Sequence, residues 1–287
     1  MIKSKDTLFP RNYTLNCKGR IIDLSTPIIM GIVNITPDSF YDGGKIKNDS
    51  DLLHQVEKHL NEGAEIIDIG AFSSRPGAES IDEKTELKKL DMICSTIKKH
   101  HPESLLSIDT YRNTVAKRVI NQGCDIINDI SGSSMDEKLL SVCAQYDVPY
   151  ICMHSNDNPF DHNNIPEYKS VTLDIINYFK EKIDLCTQAG IKDVIIDPGF
   201  GFAKSMEDNF KVLKEMNSLK MLDKPILVGI SRKRMIHKTL NITAQEALNG
   251  TTALHSLALL NGGNILRVHD VKEAKEVVDL HLAYNKA

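Results

Sequence analysis

Residues 65–110 read EIIDIGAFSSRPGAESIDEKTELKKLDMICSTIKKHHPESLLSIDT, and this stretch decides the fold. It opens on a short β-branched run, residues 65–70, and closes on another, residues 105–110. Between them Leu87, Leu90, Ile93 and Ile97 recur at the spacing of one helix face. Strand, helix and strand in this order form one unit of a parallel sheet. Both runs are apolar without strict alternation, as suits strands covered on both faces.

Working outward, such runs recur at residues 28–35, 65–70, 105–110, 125–131, 149–154, 193–198, 225–231 and 264–270. Leu52, Leu53, Val56 and Leu60 repeat at helical spacing ahead of the breaker Gly63. Ser205 reads as the N-cap of a helix with a Phe210, Leu213, Leu219 face. Ala253, Leu257 and Leu260 form another stripe, closed by Gly262 and Gly263. Eight strand–helix alternations predict an α/β fold, a (β/α)8 TIM barrel, with a doubly wound open sheet as the competing arrangement. Upstream, Tyr13-Thr14-Leu15 and Ile21-Ile22-Asp23-Leu24 flank Lys18-Gly19, which predicts an N-terminal β-hairpin covering the N-terminal end of the barrel. The expected organisation is one domain over residues 1–287, with the hairpin at about 11–25 and the barrel at about 27–284. Residues 155–166 are polar and predict a long, mobile loop after the fifth barrel strand.

Composition narrows the function. Of 287 residues, 41% are hydrophobic and 26% charged, typical of a soluble globular chain, and the absence of Trp leaves the core to Ile, Leu, Val and Met. A net charge of −4 supplies no basic face for nucleic acid. No apolar run approaches the roughly 20 residues of a membrane span. The lysines near the N-terminus have no apolar segment behind them, so a cytoplasmic location is expected. Cys17, Cys94, Cys124, Cys143, Cys152 and Cys186 form no C-x-x-C pair, which predicts reduced, buried thiols.

In such barrels the C-terminal strand ends carry the active site. Here those ends bring Asn34, Asp68, Asp109, Asn128, His154, Asp197, Ser231 to Lys233, and Arg267 with His269. A single strand-end Asp is usually a cap or a structural hydrogen-bond partner, but polar groups from every strand at one rim are not explained that way. Asp109, Asn128 and Asp197 together suit a heterocycle with an N–C–N edge and an adjacent carbonyl, and Lys233 offers a cation to the same ring. Arg267 and His269 are two residues apart on one strand, so their side chains share a direction. With Ser74 and Arg75 they would make a polyanion pocket. Asn34 suits an Mg²⁺ held mainly by phosphate oxygens and water. Asn34 to Gly44 and Ser73 to Gly77 read as active-site loops.

These residues resemble a known family. Met30-Gly31-Ile32-Val33-Asn34-Ile35-Thr36-Pro37-Asp38-Ser39-Phe40 closely resembles the first signature of the dihydropteroate synthases, and Ser73-Ser74-Arg75-Pro76-Gly77 the second. Ser107-Ile108-Asp109-Thr110, Ile127-Asn128-Asp129, Asp197-Pro198-Gly199-Phe200-Gly201-Phe202, Ser231-Arg232-Lys233 and Arg267-Val268-His269-Asp270 are similar to the remaining ones, in order. The resemblance implies joining of p-aminobenzoate to a pterin pyrophosphate in folate biosynthesis, with Mg²⁺ at Asn34 and a homodimeric assembly. It implies pterin binding by Asp109, Asn128, Met153, Asp197 and Lys233, and diphosphate binding by Ser74, Arg267 and His269. Arg75, Pro76, Phe202, Lys233 and Arg234 would border p-aminobenzoate, and Asn34, Asp38, Arg75, Lys233, Arg267 and His269 would serve the chemistry. Two positions depart from the family pattern: Phe72 replaces an acid, and Arg234 stands where many members have serine. A pterin-dependent methyltransferase domain would need no diphosphate site, and a non-catalytic relative would be expected to lose part of the anion site or the first loop.

Overall fold

Eight parallel strands take up the apolar runs: β3 (Ile28–Asn34), β4 (Ile66–Gly70), β5 (Leu105–Asp109), β6 (Ile126–Asp129), β7 (Tyr150–Met153), β8 (Val194–Asp197), β9 (Leu227–Val228) and β10 (Ile265–Val268). The computed structural model describes residues 13–35, 49–71, 81–156, 158–161 and 164–287. Hydrogen bonding orders the strands β8-β7-β6-β5-β4-β3-β10-β9, so chain neighbours are sheet neighbours around the ring. A parallel bridge between Ile196 and Ile226 brings the two edges together, which selects the barrel over the open sheet. Between the strands lie α1 (Asp49–Asn61), α2 (Glu83–His100), α3 (Asn113–Asn121), α4 (Lys138–Tyr146), α5 (Val171–Ala189), α6 (Met206–Glu215), α7 (Arg234–Thr239) and α8 (Leu248–Leu260), and α9 (Val271–Lys286) closes the chain.

The two-residue period of each strand sorts its side chains into two cores. Ile67, Ile69, Leu106, Ile108, Ile127, Cys152 and Ile196 face outward into the layer shared with the helices. Ile28, Met30, Ile66, Leu105, Ile126, Ile151, Ile195, Leu227 and Ile265 face inward and fill the base of the barrel. The hairpin of β1 (Thr14–Cys17) and β2 (Arg20–Asp23) adds Leu15 and Cys17, and the following Leu24 joins them in this cluster. The Asn16 amide donates to Asp193 at 3.1 Å, and Lys18 Nζ donates to the Ile120 carbonyl at 2.8 Å, tying the hairpin to the loop before β8 and to the end of α3. Two residues farther along the strands, the inward positions become Asp68, Ser107, Asn128, Met153, Asp197 and Arg267. The interior is therefore dry at the base and polar toward the mouth.

Local signals fix the helix ends. Asp82 caps α2 by accepting from Thr85 N at 3.0 Å, and Ser205 and Asp208 form a reciprocal capping box on α6. The core face of α6 is Asn209, Val212 and Leu213, whereas Phe210 is 36% exposed. Phe210 falls outside the core because the buried stripe runs through Asn209, Val212, Leu213 and Met216 and leaves Phe210 at its edge; a 3₁₀ turn over Met216–Leu222 then keeps Leu219 inward. The Ala253, Leu257, Leu260 stripe of α8 likewise points outward, while Thr251, His255, Ala258 and Leu259 face the core. Strand β9 is far shorter than residues 225–231: only Leu227 and Val228 pair with β10, Ile226 makes an isolated bridge to Ile196, and the chain turns at Arg232, whose φ is 56°. All six cysteines are buried and unpaired. Among the described residues no helix is long and apolar enough to cross a membrane.

Ile151 is fully buried in the lower core. Its replacement by Ala should cost about 2–5 kcal/mol in urea unfolding, the usual range for a truncated core side chain. A loss below about 0.5 kcal/mol would contradict a close-packed barrel base.

Candidate active site

The mouth of the barrel gathers side chains from strands far apart in sequence. Asp109 and Asn128 are register partners at the ends of β5 and β6, and Met153 and Asp197 are partners at the ends of β7 and β8. All four are at least nine-tenths buried. Met153, Ile130 and Phe202 form a small apolar cluster beside them, with Tyr111 and Ile81 packed against it. A flat ring laid on this cluster would have its polar edge among the two carboxylates and the amide.

Charge in this space is concentrated on a few groups. Asp68, fully buried on β4, accepts from Arg267 Nε at 2.7 Å and pairs with its NH2 at 2.6 Å. The same NH2 lies 3.7 Å from Asp109, too far for a hydrogen bond but close enough to attract. Burial pushes the Asp109 carboxyl up to about 8; Arg267 opposes that rise, and the nearby Asp68 adds to it. Asp109 Oδ1 and Ser107 Oγ are buried with no hydrogen-bond partner among the described residues, a costly state unless something binds there. Burial also raises Asp197, opposed by Lys233.

The segment after β8 is held by its own network. Asp197 Oδ1 accepts from Gly199 N at 2.8 Å. Gly199 has φ of 68°, and a side-chain carbon there would lie 2.0 Å from the His154 carbonyl oxygen, so only glycine fits. Lys204 Nζ reaches His154 Nδ1 at 2.8 Å and the Gly199 and Phe202 carbonyls at 3.0 Å each. Its burial lowers the ammonium to about 7, and burial together with Lys204 holds His154 well below the usual imidazole range. Lys204 therefore donates to an imidazole nitrogen and fixes the loop that carries Phe202. Lys233 Nζ stands 4.5 Å from the Phe202 ring centroid and donates to the Phe200 carbonyl. Desolvation lowers Lys233 to about 8, with Asp197 opposing.

Of the residues singled out in the sequence, the structure brings Asp109, Asn128, Met153, Asp197, Phe202, Lys233 and Arg267 to this mouth. His269 follows β10 and shares a 3.0 Å contact through Nδ1 with Ser231 Oγ. Asn34 ends β3 with its side chain exposed, and Arg234 opens α7, also exposed. Asp38, Phe72, Ser74, Arg75 and Pro76 lie outside the described residues. Arg232 belongs to the framework instead: its guanidinium holds Asp270 through two 2.7 Å bonds and reaches the Gln245 carbonyl at 2.8 Å. The sequence reading placed Asp68 at the rim without a role of its own, and it missed Lys204 altogether. Asp68 was visible only as one more polar strand residue, and Lys204 sits beside a helix cap with nothing in sequence to mark it as buried. Among the described residues no three His, Cys, Asp or Glu side chains cluster to hold a metal.

A parallel barrel whose mouth pairs an apolar platform with buried acceptors defines an enzyme that reads a nitrogen heterocycle, and a family model described as pterin binding enzyme matches residues 30–269. A dihydropteroate synthase of Clostridium beijerinckii is 40% identical over 248 residues, covering 85% of this chain and 89% of that protein. A Yersinia pestis dihydropteroate synthase solved with a sulfonamide drug is 36% identical, with a TM-score of 0.89 covering 96% of this chain and 100% of that one. The Xanthomonas albilineans enzyme solved with 4-aminobenzoic acid gives 0.88 at 33% identity, covering 96% and 99%. The chain belongs to the dihydropteroate synthase family of pterin-binding enzymes, transferases of folate synthesis.

The raised Asp109 has a consequence for stability. Between about pH 4 and pH 8 the unfolded carboxyl loses its proton while the native one keeps it, so this group destabilises the ligand-free fold progressively as pH rises through that window. Asp109→Asn should therefore raise the melting temperature of the ligand-free protein more at pH 8 than at pH 5. Thermal unfolding at both pH values checks the sign, and an equal or reversed effect would remove Asp109 as the source.

Proposed function

We propose that the barrel mouth condenses 6-hydroxymethyl-7,8-dihydropterin pyrophosphate with p-aminobenzoate, giving 7,8-dihydropteroate and pyrophosphate. One observation carries this: the buried acceptors Asp109, Asn128 and Asp197 surround the Met153 platform, and among the described residues Asp109 Oδ1 has no partner. The 2-amino group and ring N–H groups of a pterin supply the donors that this set lacks. Lys233 then donates to an acceptor on the same ring. The carbon–oxygen bond between the exocyclic methylene and the diphosphate breaks first, its electron pair leaving with the diphosphate; the aniline nitrogen then forms its bond to the cationic methylene carbon and loses a proton. In this reading the diphosphate leaves early and charge separates. The carboxylates favour the pterin cation, while Arg267, His269 and Ser74 favour the anion. Preorganised groups of this kind supply about 3–4 kcal/mol each in measured cases.

Phe202 and Lys233 would border the p-aminobenzoate side, with Arg75 and Pro76 assigned there and Asp38 to the chemistry. Arg234, exposed at the start of α7, would serve the carboxylate of p-aminobenzoate in this reading. Asn34 suits Mg²⁺ as a single neutral oxygen ligand at the rim, because an ion that arrives with a diphosphate needs few protein ligands. When bound, Mg²⁺ would offset charge on the diphosphate. The chain also fits a homodimer: Leu257, Leu260, Leu280 and Tyr284 of α8 and α9 are 47% to 71% exposed, an apolar surface that a second copy would cover. Six buried, unpaired thiols suit a reducing, cytoplasmic setting.

Steady pyrophosphate release should require Mg²⁺, pterin pyrophosphate and p-aminobenzoate together; the same rate without p-aminobenzoate would refute the synthase reading. Asp109→Ala should abolish pterin binding in calorimetry while circular dichroism shows an intact fold. Retained wild-type affinity would sink the pterin assignment.

A further inference from the structure

Asp68 lies one layer below the atoms that meet a ligand, level in register with Ser107 of β5. Its carboxylate accepts from Arg267 Nε at 2.7 Å and pairs with NH2 at 2.6 Å on one side. On the other it faces Asn128 Nδ2, at 3.3 and 3.4 Å from its two oxygens. We propose that Asp68 is a positioning residue that sets the donor and acceptor pattern of the pocket, by holding the Asn128 carbonyl turned away from itself and the Arg267 guanidinium back from Asp109. The inference rests on the pterin reading above.

The argument is one of symmetry. The two ends of an asparagine amide have nearly the same shape, so a half-turn about the side-chain axis exchanges a donor for an acceptor at little steric cost. A fully buried carboxylate beside the amide removes that freedom, because it attracts the NH₂ end and repels the carbonyl. With Nδ2 turned toward Asp68, Asn128 Oδ1 points away from it and is presented as an acceptor. Arg267 has a comparable choice between two carboxylates. Asp68 takes Nε and the shorter NH2 contact, leaving Asp109 Oδ2 at 3.7 Å from the arginine, outside hydrogen-bond reach. The ligand then meets acceptors on Asp109, Asn128 and Asp197. That pattern complements an amidine edge and opposes a ring bearing a carbonyl in place of the 2-amino group.

The test compares 2-amino-4-oxopteridine with its 2,4-dioxo analogue by calorimetry, in the wild type and in Asp68→Asn. The wild type should prefer the 2-amino ring by about 100-fold or more, since a site built for a donor strongly rejects an analogue lacking it. In Asp68→Asn, whose amide tolerates either Asn128 orientation, the preference should fall to about 10-fold or less. The groups facing Asp109 are Arg267 from β10, Asp68 from β4, Glu86 from α2 and Asp129 from β6. Removing the Asp68 charge leaves Asp109 easier to ionise, so the pH limb of 2-amino ligand binding should also move to lower pH. A folded Asp68→Asn with unchanged preference and an unmoved limb overturns the proposal. So does an equal loss of affinity for both rings with the limb in place, which is what a purely structural residue would give. Should Asp68→Asn fail to fold, Asp68→Ser, smaller and uncharged, is measured in the same way with the same criteria. A wild type that binds neither ring would overturn the pterin reading itself, whereas a wild type that discriminates beside a variant that still does overturns only the role of Asp68.

Discussion

A buried ion pair that passes over a strand organises the mouth of this barrel. Asp68 on β4 and Arg267 on β10 reach each other across β3, which lies between them in the sheet, and the Asp68 side chain has no exposure at all. Such a pair is poorly explained as a stabiliser, because well-packed apolar residues often do as well or better. Removing one partner, in contrast, typically costs about 3–5 kcal/mol, since the survivor is left charged and dry. Its value here lies in what it orders. It holds the arginine inside the barrel and faces the Asn128 amide nitrogen, and it keeps the guanidinium 3.7 Å from Asp109. The neighbouring acids feel it too, since Asp109 is held between the pull of Arg267 and the push of Asp68.

A second constraint keeps the chemistry from drifting. Lys204 is nearly inaccessible to solvent, yet it spends its hydrogens on one imidazole nitrogen and two carbonyls rather than on a substrate. The segment from Gly199 to Phe202 is thereby fixed at both ends, by Asp197 through the Gly199 amide and by Lys204 through two carbonyls. Arg232 does the equivalent for the neighbouring strand, joining the turn after β9 to Asp270 after β10. Lys233 thus projects from a turn whose preceding residue is clamped, and its ammonium stays over Phe202.

Much of this was legible in the sequence, for definite reasons. Strands covered on both faces leave long apolar runs, so Asp109, Asn128 and Asp197 stand out as polar residues where burial is certain. The barrel followed from the count of those runs, and the hairpin from Lys18-Gly19, whose residues both take the left-handed conformation that such a turn demands. What escaped depends on distance or phase. Asp68 looks like its polar neighbours until its partner, 199 residues away, is brought beside it. Lys204 reads as a surface lysine before a helix. Phe210 was assigned inward from its spacing to Leu213, whereas the buried stripe runs through Asn209, Val212 and Leu213 and leaves Phe210 at its edge. Arg232 shares a motif with Lys233, but one residue in a left-handed turn sends the two side chains to different tasks.

The hairpin at the base has a kinetic meaning as well as a structural one. Leu15, Cys17 and Leu24 complete a dry plug with the lowest inward layer of the strands, so the barrel is a cup rather than a tube. Everything that enters the cup must leave by the same rim. The deepest-seated molecule goes in first and comes out last, and whatever is bound above it has to clear the way. Order of arrival and order of departure are in this sense written into the floor, at the opposite end of the molecule from the reacting atoms.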